Sequence, residues 1–414
     1  MNTSSMNSPS SGYQAEHGKL SLNHYPARAR FVMKMLPSLQ HGALLLELPD
    51  GQSARFGDHS TPVTLRLKNW SMFDAVLKSG DIGFAETYID GSWSTDDLTG
   101  LIALFIRNRQ AIESLFHGKW WGRMLYRMRH LLNRNSRSGS RKNIHAHYDI
   151  GNDFYRLWLD PSMTYSSALF GKGQDSSLQQ GQEAKYRRIL AQLAVKPGEQ
   201  ILEIGCGWGG FAEIAAGVGG ARVRGLTLSG AQLQYARQRL DDAGLADRAE
   251  LLLMDYRDNN GCYDAIASIE MFEAVGEEYW PAYFECIARN LKENGRACIQ
   301  TIVIADELFE NYRKGTDFIQ QYIFPGGMLP SPSAFRSAAE KHGLCIVDEF
   351  AFGADYARTL TEWRDAFKRR LPQVRKQGFD ERFLRTWEFY FGYCEAGFRA
   401  NSISVMQFTL KKIW

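Results

Sequence analysis

A glycine-rich segment near the middle of the chain is the first feature that indicates chemistry. After a short apolar run, Gly205, Gly207 and Gly209 allow the backbone to bend sharply and to approach a ligand closely. The spacing of Gly205, Gly207 and Gly210 fits the pattern GxGxxG, which loops for NAD, FAD and S-adenosylmethionine share. Glu203, an acidic residue just before the turn, favours S-adenosylmethionine, because that cofactor has no pyrophosphate to repel and carries an ammonium group. The segment predicts an enzyme.

Polar side chains follow the next two predicted strands. The second strand ends near Thr227, with Gln232 one helical turn further, and both can hydrogen-bond a ribose or a carboxylate. The third ends at Asp255 and Tyr256, where a carboxylate could accept from an adenine amine while the ring packs beside the purine. Ligands of doubly wound sheets bind outside the carboxyl ends of the strands, so we expect these four residues to contact the cofactor. The alternative for Asp255 is a helix cap.

Two carboxylates lie at the mouth of the same predicted site, and two segments of polar and aromatic residues come before the sheet. Glu270 and Glu273 are three residues apart after the fourth strand, at the mouth of the site, although one of them could be a surface helix charge. Upstream, polar and aromatic residues alternate at 146–155 and 163–167, a composition that also suits a packed lid.

Regular alternation of strand and helix from residue 179 onward would position these residues. We expect seven strands, at 200–205, 222–228, 249–255, 263–269, 296–302, 345–350 and 404–411, with helices between them. This pattern predicts an α/β fold with a doubly wound, Rossmann-like sheet. Two long insertions, 303–332 and the helical 359–399, are the usual material of substrate walls and lids.

The region before residue 145 divides into three parts. Residues 1–27 are predicted to be disordered, and their polar start resembles neither a signal peptide nor an anchor. Residues 28–115 alternate strands (43–48 and 63–67) with helices (70–78 and 98–107), which predicts a small α+β domain. Residues 116–144 form a basic linker. Residues 145–414 contain the seven strands, and the late, separated seventh strand resembles the S-adenosylmethionine-dependent methyltransferase variant of the doubly wound fold.

The basic linker has the composition of a helix on a membrane surface. Between residues 117 and 142 it carries eight lysines and arginines and no acidic residue, with Trp120 and Trp121 at one end of an apolar stripe. The alternative is a core-packing helix followed by a solvated linker. An anionic membrane surface is therefore the predicted partner.

The composition of the whole chain limits the partners, the compartment and the metal sites that we expect. Lysine and arginine total 49 against 46 acidic residues, which gives no argument for nucleic acid as a partner. Six cysteines without a CxxC pair fit a reduced cytosol. No run approaches the length of a transmembrane helix, so we expect a cytoplasmic protein that is soluble or peripheral to the membrane. HxH at residues 145–147 lacks further ligands at suitable spacing, and no metal is expected.

Taken together, these segments resemble the cyclopropane fatty acid synthase family of S-adenosylmethionine-dependent enzymes, including the mycolic acid cyclopropane synthases. The matching segments are 147–154, 160–166, 204–210, 226–229, 255–258, 271–273, 321–325 and 352–356. The region before the linker also resembles the lipid-facing domain of the phospholipid-acting synthases. The resemblance assigns Tyr165 and Ser166 to the cofactor and weakly implies a homodimer.

The implied reaction is attack by the cis double bond of an acyl chain on the sulfonium methyl group, followed by proton loss and ring closure. Family synthases hold bicarbonate as the base through a Cys, a Glu, a His and a Tyr, and the corresponding residues here are Ser167, Glu273, Gln300 and Tyr356. Two of the four differ, although Ser and Gln can still hydrogen-bond an anion. A less well-held base would allow a hydride shift and a methylene-branched product.

Cys394 matches a cysteine that is sometimes regarded as catalytic in the family, but the reaction needs no thiolate, and a buried structural cysteine is the alternative. The sequence thus predicts methyl transfer to an unsaturated acyl chain of membrane phospholipid, with a cyclopropane fatty acid as product. Two other functions stay open: a small-molecule amine N-methyltransferase, and a lipid-binding protein without activity.

Overall fold

The computed structural model describes residues 22–113, 150–171 and 176–413. The chain divides into two compact units, Met1–Gly122 and Arg123–Trp414. The predicted basic linker at 116–144 and residues 1–21 of the predicted disordered segment lie outside the described residues. Residues 22–27 of that segment are ordered, with a short 3₁₀ helix at Leu22–His24 and a buried Tyr25. The domain boundaries at 28–115, 116–144 and 145–414 therefore stay predictions.

The first unit contains a four-stranded sheet in the order β2-β1-β3-β4. β1 pairs antiparallel with β2 and parallel with β3, and β4 pairs antiparallel with β3. Sequence analysis predicted β1 and β3 but missed β2 and the two-residue β4. Trp93 explains how so short a strand is held, because its buried ring stacks on Phe84 at 4.3 Å and its Nε1 donates to the Phe84 carbonyl. The strands are β1 Ala43–Glu47, β2 Ser53–Gly57, β3 Val63–Leu67 and β4 Trp93–Ser94.

Helices cover this sheet. Asp97 caps α4 by accepting from the backbone N–H of Gly100, and the apolar face of α4 is buried. The helices are α1 Ala27–Met33, α2 Ser71–Ser79, α3 Asp81–Ile89, α4 Leu98–Arg107 and α5 Arg109–Glu113. The unit is the small α+β domain that the sequence predicted.

The second unit is built on a seven-stranded sheet in the order β10-β11-β9-β8-β5-β6-β7. The five strands from β7 to β9 pair in parallel, whereas β11 pairs antiparallel with both β9 and β10. This is the predicted doubly wound, Rossmann-like fold. The strands are β5 Gln200–Ile204, β6 Arg222–Thr227, β7 Ala249–Leu253, β8 Tyr263–Ile269, β9 Leu291–Ile304, β10 Leu344–Ala351 and β11 Ile403–Lys412.

Two hydrophobic cores cover the two faces of this sheet. One joins α7 to α9 with the strands through residues such as Ile189, Phe211 and Ala236, and the other joins α10 and α13 through residues such as Phe284 and Phe335. These helices are α7 Leu178–Leu193, α8 Gly210–Gly217, α9 Gly230–Asp242, α10 Trp280–Asn290 and α13 Pro332–Glu340. The central strands β5, β8 and β9 are largely buried and mainly apolar, as buried parallel strands are.

The two predicted insertions are helical. They supply α11 Asp306–Tyr312 and α12 Phe318–Tyr322, then α14 Gly353–Arg369, α15 Leu371–Lys376 and α16 Glu381–Arg399. Of these helices, α14 and α16 pack through aromatic rings against the short α6, Asn152–Tyr155, and the loop after it. Seven residues have rings that contact one another in pairs, with the two centroids of a pair 5.1–6.2 Å apart: Tyr155, Trp158, Tyr165, Trp208, Trp363, Trp387 and Phe391. We call this set the aromatic cluster. Within the described ranges, no helix is long and apolar enough to cross a membrane.

Candidate active site

The glycine loop after β5 has the backbone that the sequence predicted. Gly205, Gly207 and Gly209 have φ values of 86°, 51° and 82°, in the left-handed region that favours glycine. A Cβ on Gly205 would lie 2.9 Å from Cγ of Met271, which places the loop beside the segment that follows β8. α8 begins at Gly210, so its N-terminal N–H groups lie next to the loop.

Glu203 lies in β5 directly before the loop and is 2% exposed. Its Oε2 atom is buried and accepts no hydrogen bond from any residue that the structure describes. Burial raises the pKa of the Glu203 carboxyl to about 8, while Arg239 lowers it. A buried carboxylate oxygen without a partner fits a cationic ligand group, so the residues present suit the ammonium of S-adenosylmethionine.

The ends of β6 and β7 are polar and largely satisfied by their own neighbours. Thr227 donates to Oε1 of Gln232 over 3.0 Å, and both side chains are buried. Asp255 accepts from the backbone N–H of Arg257 and also forms an ion pair with its guanidinium at 2.6 Å. The capping interpretation of Asp255 is therefore correct, and adenine recognition by Asp255 stays a prediction. Tyr256 is partly buried and meets Tyr283 edge to face at 5.6 Å.

Tyr165 belongs to the aromatic cluster, and the next residue, Ser166, contacts α7. The Tyr165 hydroxyl donates to that of Tyr390 over 2.8 Å. Ser166 receives a hydrogen bond from Lys185 through its hydroxyl, and its carbonyl accepts from Gln182. The Ser166 hydroxyl is thus occupied by Lys185, a residue that sequence reasoning missed. Cofactor contacts of Tyr165 and Ser166 remain predictions.

Glu270 lies at the centre of the predicted anion site. Its Oε1 accepts from the backbone N–H of Ser167 over 2.8 Å and from Nε2 of Gln300 over 2.7 Å. Its Oε2 accepts from the hydroxyl of Tyr356 over 2.6 Å. Three of the four residues that the resemblance assigned to bicarbonate, Ser167, Gln300 and Tyr356, are therefore brought together around a carboxylate of the chain itself. Glu270 has a φ of 50°, a strained value for a residue other than glycine.

Two details differ from the sequence prediction. Ser167 contributes its backbone N–H to the site, because its hydroxyl instead donates to the carbonyl of Ala168 over 2.9 Å. Glu273 is turned toward β9, where Oε1 accepts a short hydrogen bond from the backbone N–H of Ile302. Its Oε2 is buried without a partner among the described residues. Glu270, rather than Glu273, is the carboxylate between Ser167, Gln300 and Tyr356.

The electrostatics of the site depend on two carboxyl groups and one amine. Burial raises the pKa of Glu270, while Lys185 and the hydrogen bonds from Tyr356, Ser167 and Gln300 act against that rise. Burial and the nearby Glu270 raise the pKa of Glu273 to about 8. Burial lowers the pKa of Lys185 to about 7, although Glu270 favours its charged form. A carboxyl group of this site can therefore take up a proton near neutral pH, as a general base must.

Cys394 lies on α16, near Tyr390 and Tyr356. Burial raises the pKa of its thiol, so the thiol stays protonated at neutral pH. A protonated, partly buried thiol favours the structural interpretation over a nucleophile. Its predicted catalytic role has no support from this geometry.

Comparison with known proteins agrees with the fold. Residues 135–408, more than half of the chain, match the model of the mycolic acid cyclopropane synthetase family. The chain is 37% identical over 378 residues to the tuberculostearic acid methyltransferase of Mycobacterium tuberculosis, covering 89% of this chain and 88% of the relative. It is 35% identical over 353 residues to the cyclopropane-fatty-acyl-phospholipid synthase of Escherichia coli K12, covering 84% and 87%.

A solved structure agrees with these matches. The mycolic acid cyclopropane synthase CmaA1, in complex with SAH and CTAB, superposes with a TM-score of 0.62 at 32% identity, covering 66% of this chain and 98% of that chain. The family model and the two relatives together cover the glycine loop, the anion site and the aromatic cluster. The chain therefore belongs to the mycolic acid cyclopropane synthetase family.

Proposed function

We propose that this protein transfers the methyl group of S-adenosylmethionine to the cis double bond of an unsaturated acyl chain in membrane phospholipid, giving a cyclopropane fatty acid. One observation carries the proposal: the Glu270 carboxylate is held by three donors next to the glycine loop and the aromatic cluster. The names of the related methyltransferase and synthase support the same reaction class.

S-adenosylmethionine, when bound, supplies an electrophilic methyl group. The glycine loop and the free oxygen of Glu203 would hold it, through the close backbone approach and the charge of its ammonium. Thr227, Gln232, Asp255 and Tyr256 lie at the ends of the next two strands, where the rest of the cofactor is expected to bind.

Methyl addition to the double bond leaves a positive charge on the acyl chain. Faces of aromatic rings stabilise such a charge, and the cluster around Tyr165 and Trp363 supplies several of them. Glu270 accepts a proton from the new methyl group, and the electron pair of that C–H bond closes the ring. Because the carboxylate occupies the donors assigned to bicarbonate, we propose that no exogenous bicarbonate is required.

A second product, a methylene branch, is favoured by a specific observation. The base here is fixed on the chain at the end of β8 rather than being a small ion, and the more similar of the two relatives is named for tuberculostearic acid. A hydride shift before the proton leaves the methyl group would give this branch with the same base. The position of Glu270 relative to the acyl chain decides between the two routes.

The location follows from the substrate. A phospholipid substrate requires the protein to reach a membrane, and the basic segment at 116–144 would bind an anionic surface. We propose a cytoplasmic protein that is peripheral at the inner face of the membrane, and a homodimer. Vesicle flotation tests the membrane location, and light scattering tests the homodimer.

Mass spectrometry of membrane lipids tests the reaction itself. Cells that express the chain are grown with methyl-labelled methionine, and gas chromatography separates ring from branch. A labelled ring on formerly mono-unsaturated chains supports the first product, and a labelled branch supports the second. Unlabelled lipids, with S-adenosylmethionine still bound by the purified protein, would refute methyl transfer and favour a lipid-binding protein. The variant Glu270→Gln is the matched control, because its side chain has nearly the same shape but is not a base.

A further inference from the structure

A line of hydrogen bonds connects Glu270 to the edge of the second unit. Nε2 of Gln300 donates to Glu270, and Oε1 of Gln300 accepts from Nε2 of Gln407 over 3.0 Å. Oε1 of Gln407 in turn accepts from Nη1 of Arg188 over 2.5 Å. We call Arg188, Gln407, Gln300 and Glu270 the relay.

The fold fixes the members of the relay opposite one another. Gln300 and Gln407 are direct partners in the antiparallel pairing of β9 with β11, and both are fully buried. Arg188 reaches them from α7. Its guanidinium also forms a 2.7 Å ion pair with Asp348 and lies 4.1 Å from the centre of the Phe350 ring. The arginine is therefore held at one end by β10 and at the other by Gln407.

The direction of the relay is set by chemistry. A guanidinium has donors only, so Gln407 must turn its oxygen toward Arg188 and its amide nitrogen toward Gln300. Gln300 must then accept from Gln407 and turn its own nitrogen toward Glu270. Without the arginine, both amides could rotate by half a turn, and an oxygen would face Glu270 instead.

We propose that Arg188 is a positioning residue that acts through Gln407 and Gln300 to keep a donor directed at Glu270. This proposal rests on the proposed function, in which Glu270 must be an ionised acceptor to take up a proton. A donor favours the ionised carboxylate, whereas an acceptor in the same place favours the protonated acid.

The other charged and titratable groups that face Glu270 take no part in the proposed effect of Arg188. In the described part of the chain they are Lys185 from α7, Glu273 after β8, Tyr356 from α14 and Tyr390 from α16. The hydrogen bonds and the ion pair of Arg188 go instead to Gln407 and Asp348. A change at Arg188 thus acts on Glu270 through the two glutamines or through its charge.

The variant Arg188→Met tests the proposal, with kcat/KM for methyl transfer to vesicles measured across pH. We expect the acidic limb of the profile to move upward by about one pH unit, as the loss of one charge-assisted hydrogen bond predicts. Gln407→Met, which keeps the arginine charge, should move the limb in the same direction. Asp348→Asn removes the ion pair and keeps the relay, so its profile should match that of the native protein.

Infrared titration gives a readout that does not depend on activity. The carbonyl band of protonated Glu270 is identified as the band missing in Glu270→Gln, and its midpoint should rise in Arg188→Met and Gln407→Met. An unchanged midpoint in folded Arg188→Met protein would overturn the proposal. A shift in Arg188→Met alone would also overturn it, because the arginine would then act by its charge. If the native protein transferred no methyl group while the band still shifted in Arg188→Met and Gln407→Met, the proposed function would be refuted and the relay would be supported.

Discussion

Replacing Glu270 by glycine should convert the site into one that needs an external anion. The substitution removes the carboxylate from between Ser167, Gln300 and Tyr356, and it leaves an opening lined by their three donors. It also suits the backbone, because the φ of 50° at this position is one that glycine adopts without strain. Bicarbonate should then bind in the opening and act as the base.

The expected magnitudes follow from these contacts. Three buried donors without a partner cost about 1–3 kcal/mol each, and the relieved left-handed backbone returns about 1–2 kcal/mol. The free energy of unfolding should therefore fall by about 1–8 kcal/mol. Loss of a general base should lower turnover by about 10²–10⁴-fold. Bicarbonate at a hundred times its Kd should restore about 2.7 kcal/mol of stability.

Two assays check this. Thermal unfolding of Glu270→Gly protein with and without bicarbonate measures anion binding, and methyl transfer to vesicles measures turnover in the same buffers. Glu270→Gln is the control, since its amide fills the opening and should respond to bicarbonate in neither assay. The reasoning is refuted if Glu270→Gly keeps native turnover in bicarbonate-free buffer, or if native protein needs bicarbonate.

Three further predictions concern the cofactor, the thiol and the membrane. Because the pKa of Glu203 is raised to about 8 and its ionised form should bind the cofactor ammonium, affinity for S-adenosylmethionine should increase about tenfold from pH 6 to pH 7, and Glu203→Gln should abolish this dependence in calorimetry. Cys394→Ala should keep kcat within about threefold, because burial keeps the thiol protonated; a loss approaching that of Glu270→Gln would make it catalytic. Vesicle binding should weaken with salt, and it should also weaken, at unchanged cofactor affinity, when glutamine replaces three basic residues of the linker, Arg123, Arg127 and Arg129. Unchanged flotation of that triple variant would contradict the membrane assignment.

Local patterns along the chain were sufficient for the main features of the fold. Apolar runs that alternate with helical segments located six of the seven strands of the second unit to within two residues at each end, and the seventh, β9, was only longer than predicted. The glycine loop was also evident, since positive φ at three close positions needs glycine. Short edge strands were missed, because β4 depends on the packing of Trp93 rather than on any pattern of its own.

The sequence identified only some of the residues around the predicted anion site. The resemblance identified Ser167, Gln300 and Tyr356, but it could not show that the serine offers its backbone rather than its hydroxyl. Lys185 and Arg188 gave no separate signal, because basic residues on an amphipathic helix usually face solvent. Gln407 could have been noticed as an amide between two apolar residues, Met406 and Phe408, of a predicted strand.

The sequence by itself determined that two carboxylates follow β8 and that a cofactor loop follows β5. Only the tertiary structure decided that Glu270, and not Glu273, meets Ser167 and Tyr356, which lie 103 and 86 residues away along the chain. The physical reason is the backbone at the end of β8. A left-handed φ at Glu270 directs one carboxylate into the site, and the short turn that follows directs the other toward β9. Such a choice depends on contacts between distant segments, which no local pattern contains.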